Sequence, residues 1–382
     1  MTDNHIIHIA LTLANNTSTP YFNRFADLAK NTPDIKLSFI CLFPEQPNMI
    51  EDMAKRSLVC HWIKYDSKKR KVEMLKALLQ LFLLLKKIKP DVIHTHLFDD
   101  SLPGLLAAKF AGIKTRIISK LDTGYHHNFT PQWVKFDKFN NWNATGIVSV
   151  SKESENFIID IEKAPVDKIH LIHQGLSVEE VTSASTEIQK KLIHKFNLQN
   201  KKLILSVARH IEWKGYKYII DAAELVIKKY PECVFLFVGY GEQQEELEKI
   251  VIQKGLSSNI IFSGWVDRED LNNLYQLSKV FVHAAINEPF GFVIAEAMLN
   301  KVPVVSTKTG CAYDGIEHLK GGYIVQNKNS KQIAEGIFYM LENDTSEMVA
   351  TSFQTANNLF TVEKMWQNHC ELYRKIIRKK SI

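Results

Sequence analysis

The sequence predicts an α/β protein built from two doubly wound parallel-sheet units in tandem. Short apolar runs alternate with helical patterns along the whole chain, which is typical of a parallel sheet covered on both faces. The alternation is interrupted over residues 177–200, where the sequence is polar and weakly patterned. At 382 residues the chain is long enough for two domains, each with its own core.

In residues 1–176 the apolar runs predict strands and the periodic segments predict helices. The predicted strands are Ile6–Leu11, Leu37–Leu42, Val59–Ile63, Asp91–His96, Arg116–Ser119, Gly146–Val150 and Ile169–Ile172. The predicted helices are Tyr21–Ala29, Lys68–Lys89 and Leu102–Phe110, the first of them after a Thr-Ser-Thr-Pro start signal.

The second half repeats the pattern more regularly. Its predicted strands are Leu203–Val207, Val234–Val238, Ile260–Phe262, Val280–Ala284, Val302–Ser306 and Tyr323–Val325. Helices are predicted between them, including Tyr216–Lys229 and Glu242–Lys254, and over the last segment, Val362–Arg378. We therefore expect domains at 1–176 and 201–361, joined by a linker at 177–200 that includes a short helix, and a C-terminal helix within 362–382.

Composition restricts the class of protein. The apolar content of 45% and charged content of 24% are ordinary for a soluble globular chain. Five scattered cysteines without metal spacing predict a reducing compartment, hence a cytoplasmic protein. No basic leader and no apolar run near 20 residues is seen, so neither a signal peptide nor a spanning helix is expected. The net charge is +5 over residues 1–176 and +1 over the remainder, without a nucleic-acid-binding motif.

The candidate site centres on two carboxylates eight positions apart, Glu288 and Glu296. The run Val280–Ala284 ends just before Glu288, which is therefore expected in the loop after a buried strand. Pro289 is a residue that starts helices, so Phe290–Val293 is predicted to form a first helical turn. Glu296 should then face the same side from about two turns in.

This arrangement suits a phosphorylated sugar. The unpaired N–H groups of a first helical turn attract anions, and Gly291 lets the backbone approach a ligand closely. Carboxylates accept hydrogen bonds from the hydroxyl groups of a sugar. The alternative is an ordinary strand, turn and helix with solvated acids.

The stretch Glu-Pro-Phe-Gly-Phe-x-x-x-Glu-Ala resembles the Glu-x7-Glu signature of the family 4 (group 1) glycosyltransferases. Arg209 and Lys214 also stand as in that family's Arg…Lys-Gly motif, which binds the donor phosphates. The resemblance is close over residues 200–340 and implies the GT-B fold, two Rossmann-like domains facing a central cleft. It also implies retaining transfer from a nucleotide-diphosphate sugar without a metal ion, and a final helix that packs back on the first domain.

Two further loops are expected near the nucleotide. Gly239 follows a strand in a Gly-Tyr-Gly turn that matches a dinucleotide loop only partly, because Gln244 replaces the third glycine. Val266 lies at the equivalent end of the next strand, and the resemblance places this loop beside the base. With Glu288, Glu296, Arg209, Lys214 and the residues Phe290, Gly291, Phe292 and Val293, these complete the predicted donor site.

The first half departs from the family at two places. A Gly-Gly turn usual after the first strand is replaced here by Leu13–Thr19. A histidine usual after the fifth strand is replaced by Leu121 or Asp122, depending on register. His126 or His127 could substitute, or Asp122 could act directly, so Asp122 and His126 are the candidates for catalysis on this side.

A metal site is not expected, although His94 and His96 alternate on one predicted strand. No carboxylate motif completes such a site, and the chain has no Asp-x-Asp. The helix Lys68–Lys89 combines basic ends with apolar positions such as Met74, Leu75 and Leu79. It is interpreted as a core-packed helix, with docking on an anionic membrane surface as the alternative.

The resemblance implies transfer of a hexose or N-acetylhexosamine to a glycan or lipid-linked acceptor, in bacterial surface polysaccharide synthesis, at the cytoplasmic side of the membrane. Two alternatives stay open at this point. One is a catalytically degenerate binding subunit of a transferase complex, and the other is a nucleotide-sugar epimerase of the same fold.

Overall fold

The computed structural model describes residues 6–15 and 20–379, which form two compact units. Unit 1 contains the residues up to Ile172 together with those from Met365 onward. Unit 2 is His173–Lys364. Strands and helices alternate in both, so the predicted α/β class with two parallel-sheet domains is confirmed.

Unit 1 is built on a seven-stranded sheet within its described residues, and its neighbouring strands pair in parallel. The strands are β1 (Ile7–Ala14), β2 (Ile35–Phe43), β3 (Val59–Lys64), β4 (Val92–Thr95), β5 (Thr115–Lys120), β6 (Gly146–Ser149) and β7 (Ile169–Leu171). Their order is β3-β2-β1-β4-β5-β6-β7, so the chain reverses its direction across the sheet between β1 and β4.

Helices cover both faces of this sheet because each buries an apolar side against it. They are α1 (Pro20–Ala29), α2 (Met49–Ala54), α3 (Arg70–Ile88), α4 (Phe98–Phe110), α5 (Tyr125–Phe129), α6 (Val134–Asn143) and α7 (Lys152–Asp160). The core side of α3 consists of Met74, Ala77, Leu81 and Leu85, as expected for a core-packed helix. α4 begins four residues before the predicted Leu102, because the Asp100 side chain accepts from the Leu97 amide and caps the helix there.

Unit 2 has a six-stranded parallel sheet among its described residues, in the order β10-β9-β8-β11-β12-β13. The strands are β8 (Lys202–Val207), β9 (Cys233–Val238), β10 (Ile260–Gly264), β11 (Ser278–His283), β12 (Val304–Thr307) and β13 (Tyr323–Val325). The reversal point here lies between β8 and β11. The helices are α8 (Val178–Thr182), α9 (Thr186–Lys195), α10 (Tyr216–Lys229), α11 (Gln244–Gln253), α12 (Arg268–Leu277), α13 (Phe292–Leu299), α14 (Gly310–Gly315), α15 (Ser330–Glu342) and α16 (Ser346–Leu359).

The segment 177–200, expected to be a linker, is part of unit 2. It contains α8 and α9, and side chains of unit 2 hold it in place. Asn272 donates to the Glu180 carbonyl at 2.7 Å, and Asn300 donates to the Val181 carbonyl at 2.8 Å. The segment thus holds two short helices where the sequence predicts one.

The last helix, α17 (Val362–Lys379), belongs to unit 1 from Met365 onward. The Trp366 indole donates to the Thr32 hydroxyl at 2.9 Å, and Arg374 pairs with Asp34 at 2.8 Å. Tyr373 is fully buried and hydrogen-bonded to His94 at 2.7 Å. The chain thus returns to complete the core of its first unit.

Candidate functional site

The loops after β8 and β11 meet at the reversal point of the unit 2 sheet. Where strand order reverses, the following connections diverge to opposite faces and leave a crevice at the carboxyl edge. Arg209 and Lys214 follow β8, and Glu288 follows β11. The two loops are joined by a backbone hydrogen bond from the Ile286 amide to the Trp213 carbonyl, at 2.7 Å. The structure therefore brings Lys214 and Glu288, which are 74 positions apart in sequence, into contact.

Gly215 is the residue that allows these loops to touch. Its φ of +72° lies in the left-handed region, and a Cβ there would stand 2.1 Å from the Ala284 carbonyl oxygen. Among the amino acids, only glycine can combine this conformation with so close an approach. Lys214 precedes Gly215 in a short 3-10 turn and is thereby placed beside the β11 loop.

Glu288 is buried, with 8% of its surface exposed, and is held by two partners. Lys214 Nζ donates to its Oε2, and His283 Nε2 donates to the same oxygen at 3.1 Å. Burial alone would raise the pKa of Glu288, but the His283 hydrogen bond and the Lys214 charge lower this pKa to about 2. Glu288 is thus a permanent carboxylate, and its Oε1 accepts no hydrogen bond from the described residues.

The helix beside Glu288 begins later than predicted. α13 starts at Phe292, and Gly291 caps it with a φ of +81°, so Phe290 and Pro289 lie in the loop. A Cβ on Gly291 would stand 2.9 Å from Glu288 Cγ, which explains glycine here. The amides at the helix start are consequently those of Phe292 and Val293.

Glu296 lies in the second turn of α13 rather than two turns in, and its surroundings differ from those of Glu288. Arg268 Nη1 donates to Oε1 at 2.7 Å, and the Tyr275 hydroxyl donates to Oε2 at 2.9 Å. Arg268 and Tyr275 both belong to α12, so this carboxylate ties α13 to α12. Burial, followed by the Glu296 charge, raises the pKa of Tyr275 well above its usual value.

Arg209 is exposed and forms no ion pair within the described part of the chain. Its loop is packed against the turn after β9, where a Cβ on Gly239 would stand 2.1 Å from the Ala208 carbonyl oxygen. The Gly239 amide in turn donates to the Gly264 carbonyl at 2.9 Å, which joins this turn to the loop after β10. Gly239 therefore has a packing reason to be glycine.

The loops after β9 and β10 carry two exposed aromatic side chains that the sequence reasoning did not single out. Tyr240 follows Gly239, and Trp265, 74% exposed, precedes the half-buried Val266. Two residues after Val266, α12 begins at Arg268, the partner of Glu296. This side of the site thus offers planar apolar surface next to a buried carboxylate.

In unit 1, Asp122 and His126 have different surroundings. Asp122 is exposed, and its Oδ1 accepts from the Tyr125 amide at 3.2 Å, at the start of α5. His126 is buried, and its Nδ1 is 2.7 Å from Asp137 Oδ2. An orienting carboxylate of this kind fixes the ring and its tautomer.

The Asp137 carboxylate belongs to a buried ionic cluster at the end of β5. Lys120 Nζ lies 3.0 Å from Glu162 Oε2 and 3.9 Å from Asp137 Oδ1. Burial opposes the charge on Lys120, but Glu162 and then Asp137 raise the pKa of Lys120 above its usual value. This cluster could not be predicted from the sequence, because its members come from three separate segments of the chain.

The reversal point of unit 1 carries a second polar cluster, after β1 and β4. Asn15 Nδ2 donates to Asp99 Oδ2 at 2.8 Å, and Arg70 Nε pairs with Asp99 Oδ1 at 2.7 Å. Of the loop that replaces the family's Gly-Gly turn, Asn16–Thr19 lies outside the described residues. Asp100 is fully buried and accepts from the Thr12 hydroxyl and the His96 amide.

His94 and His96 are placed side by side, with ring centroids 4.3 Å apart. Three of their four ring nitrogens contact protein groups, since His94 contacts Tyr373 and Ser119 and His96 Nδ1 contacts the Thr12 carbonyl at 2.8 Å. The fourth, His96 Nε2, is buried without a hydrogen-bond partner among the described residues. Across residues 6–15 and 20–379, no group of three or more histidine, cysteine, aspartate or glutamate side chains could hold a metal ion. Metal independence nevertheless stays a prediction. Within the same described residues, no helix is long and apolar enough to cross a membrane.

Comparison with known proteins places this geometry in a family. The model of glycosyl transferases group 1 matches residues 188–354, and that of Glycosyltransferase Family 4 matches residues 29–180. An uncharacterized glycosyltransferase of Methanocaldococcus jannaschii is 30% identical over 199 residues, 52% of this chain and 51% of the relative. The capsular polysaccharide biosynthesis glycosyltransferase CapM of Staphylococcus aureus is 23% identical, over 88% of this chain and 95% of CapM.

The fold has solved counterparts. HepE of Anabaena, in complex with UDP-glucose, superposes with a TM-score of 0.80 at 20% identity, covering 97% of this chain and 100% of HepE. At this identity the likeness concerns the fold, which is that of GT-B structures. With both halves of the chain matched by family models, the protein belongs to the group 1, family 4 glycosyltransferases.

Proposed function

We propose that the chain is a retaining glycosyltransferase that moves a hexose or N-acetylhexosamine from a nucleotide-diphosphate sugar to a glycan or glycolipid. The observation that carries the proposal is the Lys214–Glu288 pair at the reversal point of the unit 2 sheet. A cation for phosphate and a permanent carboxylate for hydroxyl groups stand there in direct contact.

Arg209 and Lys214 bind the diphosphate and stabilise the charge that develops as the nucleotide leaves. Arg209 has no ionic partner to give up among the described residues. An ammonium group has three donors, so Lys214 can keep its bond to Glu288 while it donates to a phosphate oxygen. The amides of Phe292 and Val293 add the partial positive charge of a helix start.

Glu288 accepts from the hydroxyls of the transferred sugar through Oε1, and Phe290 and Gly291 shape the loop around it. Glu296 accepts from the ribose hydroxyls while Arg268 and Tyr275 hold it in place. Gly239 and Val266 flank the base of the nucleotide. The exposed rings of Tyr240 and Trp265 can stack on this base.

On the acceptor side, His126 is the better candidate for a role near the reacting groups. Asp137 orients its ring, whereas Asp122 is exposed and accepts from the Tyr125 amide. Metal ions are not needed in this proposal, because Arg209, Lys214 and the helix amides supply the positive charge.

A setting in bacterial surface polysaccharide synthesis, at the inner membrane face, is supported by the likeness to CapM. An exposed apolar stripe on α3, made of Val72, Leu75, Leu79 and Leu83, supports peripheral contact with an anionic membrane. Lys86 and Lys87 follow in the last turn, and each basic residue near an anionic surface contributes about 1 kcal/mol.

The test is a thermal-shift screen of nucleotide sugars, followed by release of free sugar from the best ligand, with and without chelator. A ligand at one hundred times its Kd should stabilise the protein by about 2.7 kcal/mol. We expect slow turnover that EDTA does not change. Loss of turnover in EDTA and recovery with magnesium or manganese would contradict metal independence. Tight binding without turnover would favour a degenerate binding subunit.

A further inference from the structure

An apolar groove lies on unit 1 between α3, α4 and the start of α6. Its volume is about 810 Å³. The walls include Met74, Leu75 and Leu78 from α3, Leu102 and Leu106 from α4, and Trp133 just before α6. Water in such a groove gains few hydrogen bonds, so the groove favours an apolar occupant.

Two lysines at the groove define the chemistry of its occupant. Lys71 and Lys135 belong to the lining, are exposed, and form no ion pair with any residue that the structure describes. Lys76, on the same helix as Lys71, is instead paired with Glu73 at 2.8 Å. An apolar channel with unpaired cations beside it matches an anionic amphiphile rather than a neutral lipid or an apolar peptide.

One wall of the groove, Trp133, lies next to the polar cluster at the reversal point of unit 1. The Trp133 ring lines the groove and carries the Arg70 guanidinium, 5.5 Å from the ring centroid. Arg70 is the ion-pair partner of Asp99, which also accepts from Asn15. Trp133 thus borders both the apolar groove and the Arg70–Asp99 ion pair.

We propose that this groove binds the single hydrocarbon chain of a phosphate-bearing lipid acceptor, with Lys71 and Lys135 contacting the phosphate. The proposal rests on the glycosyltransferase function proposed above for the role of the lipid as acceptor. It differs from adsorption on a membrane surface, because one chain lies in a groove lined by three helices.

The probes are alkyl monophosphates of increasing chain length, kept below the concentration at which they form micelles, and measured by calorimetry without nucleotide. Wild-type affinity should rise about fourfold for each added methylene until the groove is full, as about 0.8 kcal/mol per methylene requires. Affinity that does not depend on chain length would show ionic binding only and would overturn the proposal.

Two leucines of α3 provide a matched pair of variants. Leu75 and Leu79 are 70% and 59% exposed, but only Leu75 lines the groove. Leu75→Asp should weaken dodecyl phosphate binding at least about tenfold, whereas Leu79→Asp should leave it within twofold. Equal losses in both variants would indicate adsorption on the α3 surface and would overturn the proposal. Unchanged thermal unfolding of both variants checks that the fold is kept.

The lysines are tested with Lys71→Gln and Lys135→Gln. Each change should weaken dodecyl phosphate about fivefold, at about 1 kcal/mol per cation, and leave dodecanol binding unchanged. Donor hydrolysis is measured on the same samples. Hydrolysis that persists in Leu75→Asp separates the groove from the donor site. Amphiphile binding by a wild-type protein without donor turnover would refute the proposed function and leave the groove intact.

Discussion

Arg209 and Lys214 lie on one loop but in different electrostatic surroundings. Lys214 is largely buried and paired with Glu288, whereas Arg209 is exposed and without an ionic partner among the described residues. A new anion therefore gains most from Arg209, because no existing pair has to be weakened. Lys214 in addition keeps Glu288 ionised, so its removal would alter two functions at once.

Arg209→Met is accordingly the cleaner test of phosphate recognition. It should weaken binding of a nucleoside diphosphate about tenfold or more, as expected for one charge-assisted contact of about 1.5–3 kcal/mol. Binding of the parent nucleoside, which lacks phosphate, should not change. Lys249→Met, which removes an exposed cation on α11, is the control. Equal weakening of nucleoside and nucleoside diphosphate would contradict a phosphate role.

At the scale of elements, the site depends on the contact between the β8 and β11 loops. Gly215 makes this contact possible, because any side chain there would collide with the Ala284 carbonyl. Gly255 has a similar φ, +68° against +72°, but nothing lies within 4 Å of the position of its Cβ. A comparison of substitutions at the two glycines therefore distinguishes the cost of backbone strain from the cost of a collision with the neighbouring loop.

Gly215→Ala should lower both stability and nucleotide-sugar affinity, whereas Gly255→Ala should lower stability alone. The left-handed conformation costs a residue with a Cβ about 1–2 kcal/mol in either variant. Only in Gly215→Ala must the 3-10 turn also move, and Lys214 moves with it. Denaturant unfolding and calorimetric titration of the two variants measure both effects. Full affinity in Gly215→Ala would show that the loop contact is unnecessary.

Most strands and the residues that follow them could be predicted from the sequence, because buried parallel strands appear as continuous apolar runs. The positions of β8 and β11 placed Arg209, Lys214 and Glu288 at one sheet edge. The start of α13 could not be predicted, since proline suggested a helix at residues where the Gly291 cap delays it. His283 and Arg268 were missed because a partner for a carboxylate is a property of packing, which no spacing in the sequence reveals.

At the scale of the whole molecule, unit 1 contains a group of buried neutral histidines around the returning helix α17. Burial lowers the pKa of His96 to about 3, that of His369 to about 4, and that of His94 well below its usual value. Unfolded histidine titrates near 6.5, so unfolding takes up protons between these values. Burial raises the pKa of Asp100 to about 7, so this residue releases a proton when the protein unfolds at acidic pH. That single proton only partly offsets the three protons that the histidines take up.

The stability of unit 1 should therefore be greatest above about pH 6.5 and fall as the pH drops toward 4. Each net proton taken up costs about 1.4 kcal/mol per pH unit. His369→Leu removes one buried histidine and should shift the acid unfolding midpoint to lower pH. His194→Leu, at an exposed position of α9, should not. Acid titration followed by circular dichroism measures the midpoints, and identical midpoints for wild type and His369→Leu would contradict the account.

The central claim is that Glu288 contacts the transferred sugar and that Glu296 holds the ribose. Sugar contacts tighten as positive charge develops at the reacting carbon, whereas ribose contacts are similar in ground and transition states. The different partners of the two carboxylates make the two substitutions independent. Both variants keep the side-chain volume, remove the charge and replace one acceptor oxygen by an NH2 donor.

The most direct measurement is the steady-state kinetics of donor hydrolysis by Glu288→Gln and Glu296→Gln. We predict that Glu288→Gln lowers kcat by at least tenfold, about 1.4 kcal/mol, and that Glu296→Gln mainly raises KM. The opposite pattern would reverse the two assignments. If neither variant changes kcat or KM by tenfold, the carboxylate pair is structural in this protein and the claim is wrong.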